Sequence, residues 1–352
     1  IEVNHISKRE RESLARLRKQ VVAQKRQLKL KATMIARLLE KEALLFPLSL
    51  EPVFRSDPWR EKVVHWFFSV VSALARNVPA GVQHPFDRAT VHVSTALLDN
   101  YLASLPQERS ARYRANRVAY QVLATTCLLL GIRLVHSHQR VEAIKLQQQQ
   151  QRDIKDEPSG EMRRTGKLRD LQQANAANKD DSLELPNIRS ILRISAASKS
   201  ITEATVLTMV REITSSRVFP RSHSVTALDF IEVFGARNSS NITSSSNGSL
   251  LHLEPSQQRN ANLLADLALY CSRCKPSIAA CAAITVAMMR SAPEDVTSTR
   301  QLVFQAVFGE HDVSAMQSVR DVEIRLLEAS TTLSRNGIMP RTLSSHVIPQ
   351  EE

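Results

Sequence analysis

The stretch that decides the fold is Ala265–Ala287, which reads ADLALYCSRCKPSIAACAAITVA. Its first part is rich in leucine, and the part after Pro276 consists largely of alanine and other apolar or small residues. These patterns predict helices at about 258–273 and 276–290. The second of them is apolar or small on nearly all sides, and small side chains let neighbouring helices approach closely. Such a helix is suited to the centre of a helical bundle.

A second helix of this character is predicted at about 112–135. It contains the apolar run Cys127–Ile132, which ends abruptly at Arg133. The whole pattern gives nine or ten helices in two runs of about five, with no convincing strand. It therefore predicts an all-α fold of two bundles, each built round a central helix. The helix at 59–75 is preceded by Asp57, which is typical of an N-cap, and by Pro58, which is typical of a first helical position. The other helices are predicted at about 59–75, 86–102, 187–195, 202–217, 222–234, 297–308 and 312–330.

The composition of the 352 residues limits the classes of protein. The length is enough for two domains of ordinary size, and a hydrophobic fraction of 43% is normal for a globular protein. With only 8 glycines, glycine-rich phosphate loops and sheets with many tight turns are disfavoured. Lys and Arg number 47 against 35 Asp and Glu, a net charge of +12. This charge permits contact with nucleic acid, an anionic membrane or an acidic protein, but a basic surface with a basic tail is the simpler interpretation.

Three segments differ from the predicted helices in composition. Residues 1–45 are rich in Lys and Arg, and we interpret them as a solvated helix, with a nuclear address or a nucleic-acid contact as alternatives. Residues 137–185 are charged and rich in Gln, which predicts a disordered or loosely helical insertion. Residues 237–257 are rich in Ser and Asn, which predicts a flexible linker.

The sequence lacks the motifs typical of common enzymes. It has no G-x-x-x-x-G-K-[ST], H-E-x-x-H or G-x-S-x-G, so we predict that the protein is not an enzyme. Cys271 and Cys274 form one C-x-x-C pair without the second pair that a four-ligand zinc site normally needs, so no metal and no cofactor are expected. The polar start and the shortness of the apolar stretch Val63–Ala75 predict a soluble intracellular protein, because a membrane span needs about 20 residues.

The first predicted helix resembles the opening of a cyclin box, in which a Met-Arg pair precedes an aliphatic residue and a Trp. Here Trp59-Arg60 is followed by Val63 and Trp66, and the spacing from Arg to Trp is kept. The next helix resembles the second helix of the box, which carries an Asp-Arg pair. Asp99 is kept, and Asn100 replaces the Arg.

The later helices extend this resemblance to the cyclin family over about 57–331, apart from the two insertions. Gln121 stands twelve residues before Arg133, as in the Gln-to-Lys helix of the family. The Met-Glu step of the fifth helix is Met209-Val210 here. Ala265–Ala287 resembles the second box, where a leucine-rich helix leads into Pro-Ser-Ile-Ala-Ala.

The resemblance implies a particular all-α architecture, with two tandem five-helix cyclin boxes of the A/B type and an N-terminal helical extension. The extension would be residues 1–56 and the C-terminal tail residues 332–352. The N-terminal box would be 57–219 with the insertion 137–185, and the C-terminal box 220–331 with the insertion 237–257.

The resemblance also implies a function, because cyclins bind and activate a cyclin-dependent serine/threonine kinase in cell-cycle control without catalytic residues of their own. A kinase of that class is then the expected partner, in the nucleus and cytoplasm, with no membrane and no nucleic acid. One alternative is a cyclin-like scaffold or transcription-related binding module that does not activate a kinase. Another is a nucleic-acid-binding helical protein led by the basic residues 1–45.

Two residues stand where the family has its kinase-binding Lys and Glu. Arg133 keeps the positive charge and offers a fork of donors to backbone carbonyls. Val210 offers no acceptor, and its apolar helical face favours a core position.

Two further sets of residues take roles from the resemblance. Trp59, Val63, Trp66 and Gln121 would line the shallow groove in which some cyclins capture Arg-x-Leu peptides, with Val63 and Trp66 as plain core residues the alternative. Arg60 and Asp99 would form a buried pair that ties the first helix to the second, which we prefer to a contact with a partner.

Overall fold

The computed structural model of the chain describes residues 8–45, 59–79, 84–156, 185–194, 201–217, 219–220, 224–235, 253–291, 296–309 and 312–335. These ranges hold twelve helices and no strand, which confirms the all-α prediction. The helices are α1 (Lys8–Leu45), α2 (Arg60–Arg76), α3 (Arg88–Ser104), α4 (Gln107–Ala115), α5 (Arg117–Asp156), α6 (Ile188–Ile194), α7 (Glu203–Ser215), α8 (Ala227–Gly235), α9 (Pro255–Cys271), α10 (Pro276–Ser291), α11 (Val296–Phe308) and α12 (Val313–Arg335).

The helices α2, α3, α5, α6 and α7 enclose one set of buried apolar side chains, which we call the first core. Its central element is the N-terminal part of α5, which packs against all four of the others. Leu128 and Leu129 of α5 are 0% and 1% exposed, and burying a leucine of this kind contributes about 1.5–3 kcal/mol. The apolar run before Arg133 therefore holds this core together.

The helices α8 to α12 enclose a second set of buried apolar side chains, the second core, which Ile35 of α1 joins. Its central element is α10, which packs against α8, α9, α11, α12 and α1. Every residue from Pro276 to Ala287 is buried. Because most of these side chains are small, several helices can lie close to the axis of α10 at once.

The first core also contains one very close helix contact, where Gly131 of α5 faces Ser94 of α3. A Cβ atom on Gly131 would lie 3.2 Å from both the Cβ and the backbone nitrogen of Ser94, and closer still to its Oγ. The Ser94 hydroxyl is held in place because it donates to the carbonyl of Thr90 at 2.6 Å. A side chain at position 131 would therefore crowd Ser94, so the space between α3 and α5 favours glycine there.

Several helix boundaries differ from the predictions. The helix predicted at 112–135 is two helices, and α5 begins after Asn116, whose side-chain oxygen accepts from the backbone N–H of Ala119 at 3.1 Å. α5 continues to Asp156, so the first part of the predicted insertion is regular helix, while 157–184 lies outside the described residues. The cap predicted at Asp57 and Pro58 also lies outside them, and α2 begins at Arg60 without a side-chain cap bond.

The predicted apolar stretch Val63–Ala75 lies in α2, but α5 is the longer apolar helix. From Arg117 to Gln149 this helix is long and apolar enough to cross a membrane, judged by length and composition alone. However, 72% of its most apolar window is buried inside the protein. That burial is expected of the central helix of a packed core.

Candidate functional site

The four predicted groove residues meet in one groove between α2 and the start of α5. Trp59, Val63, Trp66 and Gln121 share its lining with Lys62, Arg117, Tyr120, Ala124 and Thr125. The groove has a volume of about 190 Å³, too small for a whole domain but enough for one or two side chains of a bound segment. The helical spacing 59, 62, 63 and 66 places these residues of α2 on one face.

Val63 and Trp66 serve the first core and the groove together. Val63 is 8% exposed and belongs to the first core. Trp66 is half-buried, packs against that core and lies 5.4 Å from the ring of Phe67. Each of the two residues therefore belongs to both the core and the groove, because one side of it faces inward and another side lines the groove.

The Trp59 ring is fixed at one end of the groove. Its indole N–H donates to the backbone carbonyl of Arg114 at 3.0 Å, which ties α2 to the last turn of α4. The ammonium of Lys62 lies 5.2 Å from the centre of the ring and the guanidinium of Arg117 lies 6.0 Å from it. Cations at this distance are attracted by the negative face of the ring, so both positive charges gather at the Trp59 end.

Arg60 and Asp99 form the pair that the resemblance implies. The Nε of Arg60 donates to the two carboxylate oxygens of Asp99 at 3.0 and 3.2 Å, and an Nη donates at 2.9 Å. The side chains are only 12% and 10% exposed. Arg60 also donates to the carbonyl of Leu269 in α9, and Arg273 donates to the carbonyl of Asp99. The pair therefore joins α2 and α3 and also links the two cores.

A second buried ionic contact, which no sequence pattern predicted, also lies between the cores. Asp266 of α9 is 0% exposed, with His92 of α3 at 3.0 Å and Arg88 at 3.1 Å from its carboxylate oxygens. A lone carboxyl in the apolar segment around Asp266 was a usable signal, because a buried carboxylate needs a partner. No spacing in the sequence identifies His92 and Arg88 as those partners, since they lie more than 170 residues away.

Arg133 and Val210 have different surroundings. Arg133 is exposed on α5, and no described residue forms an ion pair or hydrogen bond with it. Val210 of α7 is half-buried and packs against the first core.

Nearby Glu212 accepts a hydrogen bond from Tyr101 at 2.5 Å and pairs with Arg109. Burial, together with the bond to Glu212, raises the pKa of Tyr101. Glu212 is thus engaged by Tyr101 and Arg109.

Glu42 of α1 makes a contact with the second core that the sequence did not indicate. It is 4% exposed, and its two oxygens accept from the backbone N–H and the hydroxyl of Ser277, each at 2.7 Å. Ser277 lies in the first turn of α10, where backbone N–H groups lack partners within the helix and a negative charge is favourable. Burial raises the pKa of Glu42, and the bonds from Ser277 oppose that rise. The end of α1 is therefore anchored to the centre of the second core.

The cysteines of the C-x-x-C pair are free thiols. Burial raises the pKa of Cys271 to about 11 and that of Cys274 to about 11. Both thiols are therefore protonated at neutral pH. Among the described residues, no group of three His, Cys, Asp or Glu side chains could hold a metal ion.

No model of a protein family matches the chain, and no curated protein matches it. The groove, the Arg60–Asp99 pair and the exposed Arg133 are therefore the features on which a function has to rest.

Proposed function

We propose that the protein is a cyclin, a regulatory subunit that binds and activates a cyclin-dependent serine/threonine kinase in cell-cycle control. The observation that carries this proposal is the convergence of Trp59, Val63, Trp66 and Gln121 in one groove. The resemblance assigned these four residues to a common site, although Gln121 is far from the other three in sequence. The Arg60–Asp99 pair supports the proposal in the same way, because it lies between the helices that the resemblance connects.

The two helical cores support the proposed arrangement of tandem boxes. Each contains five helices, and one of the five is buried at the centre. In this proposal the first core is the N-terminal box and the second core is the C-terminal box. The short helix α4 is additional to the five, and α1 belongs to the N-terminal extension.

A cyclin acts by binding, since the chemistry belongs to the kinase. Phosphoryl transfer is fast only when the Lys–Glu ion pair and the metal-binding Asp of the kinase are in place. A partner that binds this arrangement better than the others shifts the kinase population towards it. In our proposal Arg133 contributes donors for kinase backbone carbonyls, and Val210 contributes only apolar contact area.

The test begins with capture of cyclin-dependent kinases from nuclear and cytoplasmic extracts, followed by reconstitution with the purified kinase. The full chain should raise kinase activity towards a short substrate peptide that has no docking segment. Arg133→Ala should weaken kinase binding about tenfold without lowering the stability of the fold. Arg193→Ala is the matched control, because Arg193 is an exposed arginine on α6 of the same core. Capture of no such kinase, together with unchanged activity, would overturn the proposal.

A cyclin-like scaffold without kinase activation is the second candidate, and Val210 is the observation that favours it. This side chain is half-buried and cannot accept a hydrogen bond, so one polar anchor of the family is absent. The reconstituted assay separates the two candidates, since a scaffold would bind the kinase and leave its activity unchanged.

A further inference from the structure

The groove between α2 and α5 carries a charge that bears on its ligand. Of the nine described residues that line it, Lys62 and Arg117 are cationic and none is acidic. Both cations are exposed, so a ligand in the groove can reach them. The other lining residues are neutral, and several of them are apolar or aromatic.

The two cations have defined positions. Lys62 and Arg117 both lie against the ring of Trp59, at 5.2 and 6.0 Å from its centre. The bond from the Trp59 indole to the carbonyl of Arg114 holds that ring in place. The groove is thus polarised along its length, with positive charge at the Trp59 end and an apolar surface from Val63, Trp66 and Ala124 beyond it.

No carboxylate of α2 compensates for this charge. Glu61 is the only acidic residue of the helix, and its electrostatic influence falls on Tyr270 and Cys271 at the contact between α2 and α9. Its neighbours in sequence, Arg60 and Lys62, point to different sides of the helix, towards Asp99 and towards the Trp59 ring. Glu61 is therefore on the wrong side of α2 to attract a cationic ligand into the groove.

We propose that this groove binds a peptide segment in which an acidic residue lies close to an aliphatic one. The carboxylate pairs with Lys62 and Arg117, and the aliphatic side chain covers Val63, Trp66 and Ala124. The side-chain amide of Gln121, which has no hydrogen-bond partner among the described residues, faces the backbone of the segment. An arginine at the charged end would instead meet two cations, so the ligand differs from the Arg-x-Leu peptides that the resemblance implies.

This inference rests on the proposed function, since it names the ligand of the same groove. The test uses two fluorescein-labelled, end-blocked peptides that share the tripeptide Ala-Leu-Phe and differ at one preceding position, Glu in one and Arg in the other. Anisotropy titration of the full chain at low salt should show about tenfold tighter binding of the Glu peptide. The preference should shrink in concentrated salt, because exposed charges are screened.

Variants of the groove make the assignment specific. The double variant Lys62→Glu with Arg117→Glu should reverse the preference, so that the Arg peptide binds more tightly. Lys29→Glu with Arg193→Glu changes the net charge equally at exposed positions outside the groove and should leave the preference unchanged. Trp66→Ala should weaken both peptides by a similar factor. Circular dichroism melts show whether each variant is folded. If the charge-reversed double variant does not fold, Lys62→Met with Arg117→Gln takes its place. That neutral variant should abolish the preference for the Glu peptide.

Three results would overturn the inference: equal or tighter binding of the Arg peptide, a preference that survives charge reversal, or no binding of either peptide. These failures are distinguishable from failure of the proposed function. Kinase activation is measured with a substrate that lacks a docking segment, so it does not depend on the groove. Kinase activation together with tighter binding of the Arg peptide would support the proposed cyclin function and contradict the acidic ligand. Tighter binding of the Glu peptide without kinase activation would support the acidic ligand and contradict the cyclin function.

Discussion

The two cores are built round central helices of opposite character. In the first core the centre of α5 carries large side chains, among them Leu128, Leu129 and Ile132. In the second core the centre of α10 carries small ones, such as Ala280 and Ala283. Both centres are almost fully buried, so burial alone does not distinguish them. Large residues fill the space between neighbouring helices, whereas small residues let neighbouring helices approach closely.

The cores also differ in the surfaces that they leave open. The second core is covered on one side by α1, which contributes Ile35 and Glu42 and packs against α8, α10 and α11. The first core has no such extensive contact with α1 among the described residues. It presents the groove, and Arg133 is exposed on its central helix. The second core is therefore the covered one, and the surfaces to which the proposed function assigns partners lie on the first core.

The largest effect is expected at the junction of the two cores. Arg60→Ala would leave the carboxylate of Asp99 largely buried without its bidentate partner. Removal of one side of a buried pair costs about 3–5 kcal/mol in the free energy of unfolding, although Arg273 lies 3.9 Å from Asp99 and offers partial compensation. Urea denaturation measures the loss, with Arg76→Ala at an exposed position of α2 as the control. A loss below about 1 kcal/mol would show that the pair does not hold the cores together.

The next effect tests the small central helix of the second core. Ala283 is 0% exposed, so Ala283→Leu inserts a large side chain where the surrounding helices are close. Overpacking of this kind costs about 1–3 kcal/mol. Ala306→Leu on the exposed side of α11 is the control and should change stability by less than about 0.5 kcal/mol. If the two variants were equally stable, α10 would not be confined as its neighbours indicate.

A pair of glycines sharpens the comparison, because each core has one in a restricted position. Gly131→Ala puts a methyl group against the fixed hydroxyl and the backbone of Ser94, and we expect a loss of about 1–2 kcal/mol. Gly235→Ala meets only the outer atoms of the Gln258 side chain, which is half-buried and can turn away. Its effect should be below about 0.5 kcal/mol. Thermal and urea melts of both variants give the difference, and a larger loss from Gly235→Ala would contradict the assignment of the close contact to the first core.

Much of this architecture could be predicted from local patterns. The helical character of the segments, the burial of Cys127–Ile132 and the small residues after Pro276 all follow from composition and spacing. The groove residues were predicted only through resemblance, because nothing local connects Gln121 with Trp59. The continuation of α5 to Asp156 was missed, since a run of Gln and charged residues fits a helix and a disordered segment equally well.

Contacts between distant polar side chains were beyond the sequence. Asp266 with His92, and Glu42 with Ser277, connect residues more than 170 positions apart without any recurring spacing. A buried polar group must find a partner, but that rule does not state which partner. The sequence of α1 is basic, and its acidic residues look like ordinary surface groups. The anchoring of α1 was therefore not predictable, although it distinguishes the second core from the first.

The smallest effect tests that anchor through pH. Burial raises the pKa of Glu42 above its ordinary value of 4.5, so the folded chain retains this proton over a pH range in which the unfolded chain has lost it. Stability contributed at this site is therefore greatest below pH 4.5 and falls as the pH rises through the folded pKa. Glu42→Gln keeps a hydrogen-bonding side chain but cannot titrate, so the stability of the wild type minus that of the variant should fall as the pH rises, by less than about 1 kcal/mol.

The difference between the two proteins is the quantity to measure, because the pKa of Glu323 in the second core is also raised by burial and contributes equally to both. Glu40→Gln is the control, since Glu40 is an exposed carboxyl on the same helix. A flat difference for Glu42→Gln would mean that Glu42 titrates as it does in the unfolded chain. Because burial against α10 is the largest influence on the pKa of Glu42, that result would contradict a buried end of α1 and with it the contrast between a covered second core and an open first core.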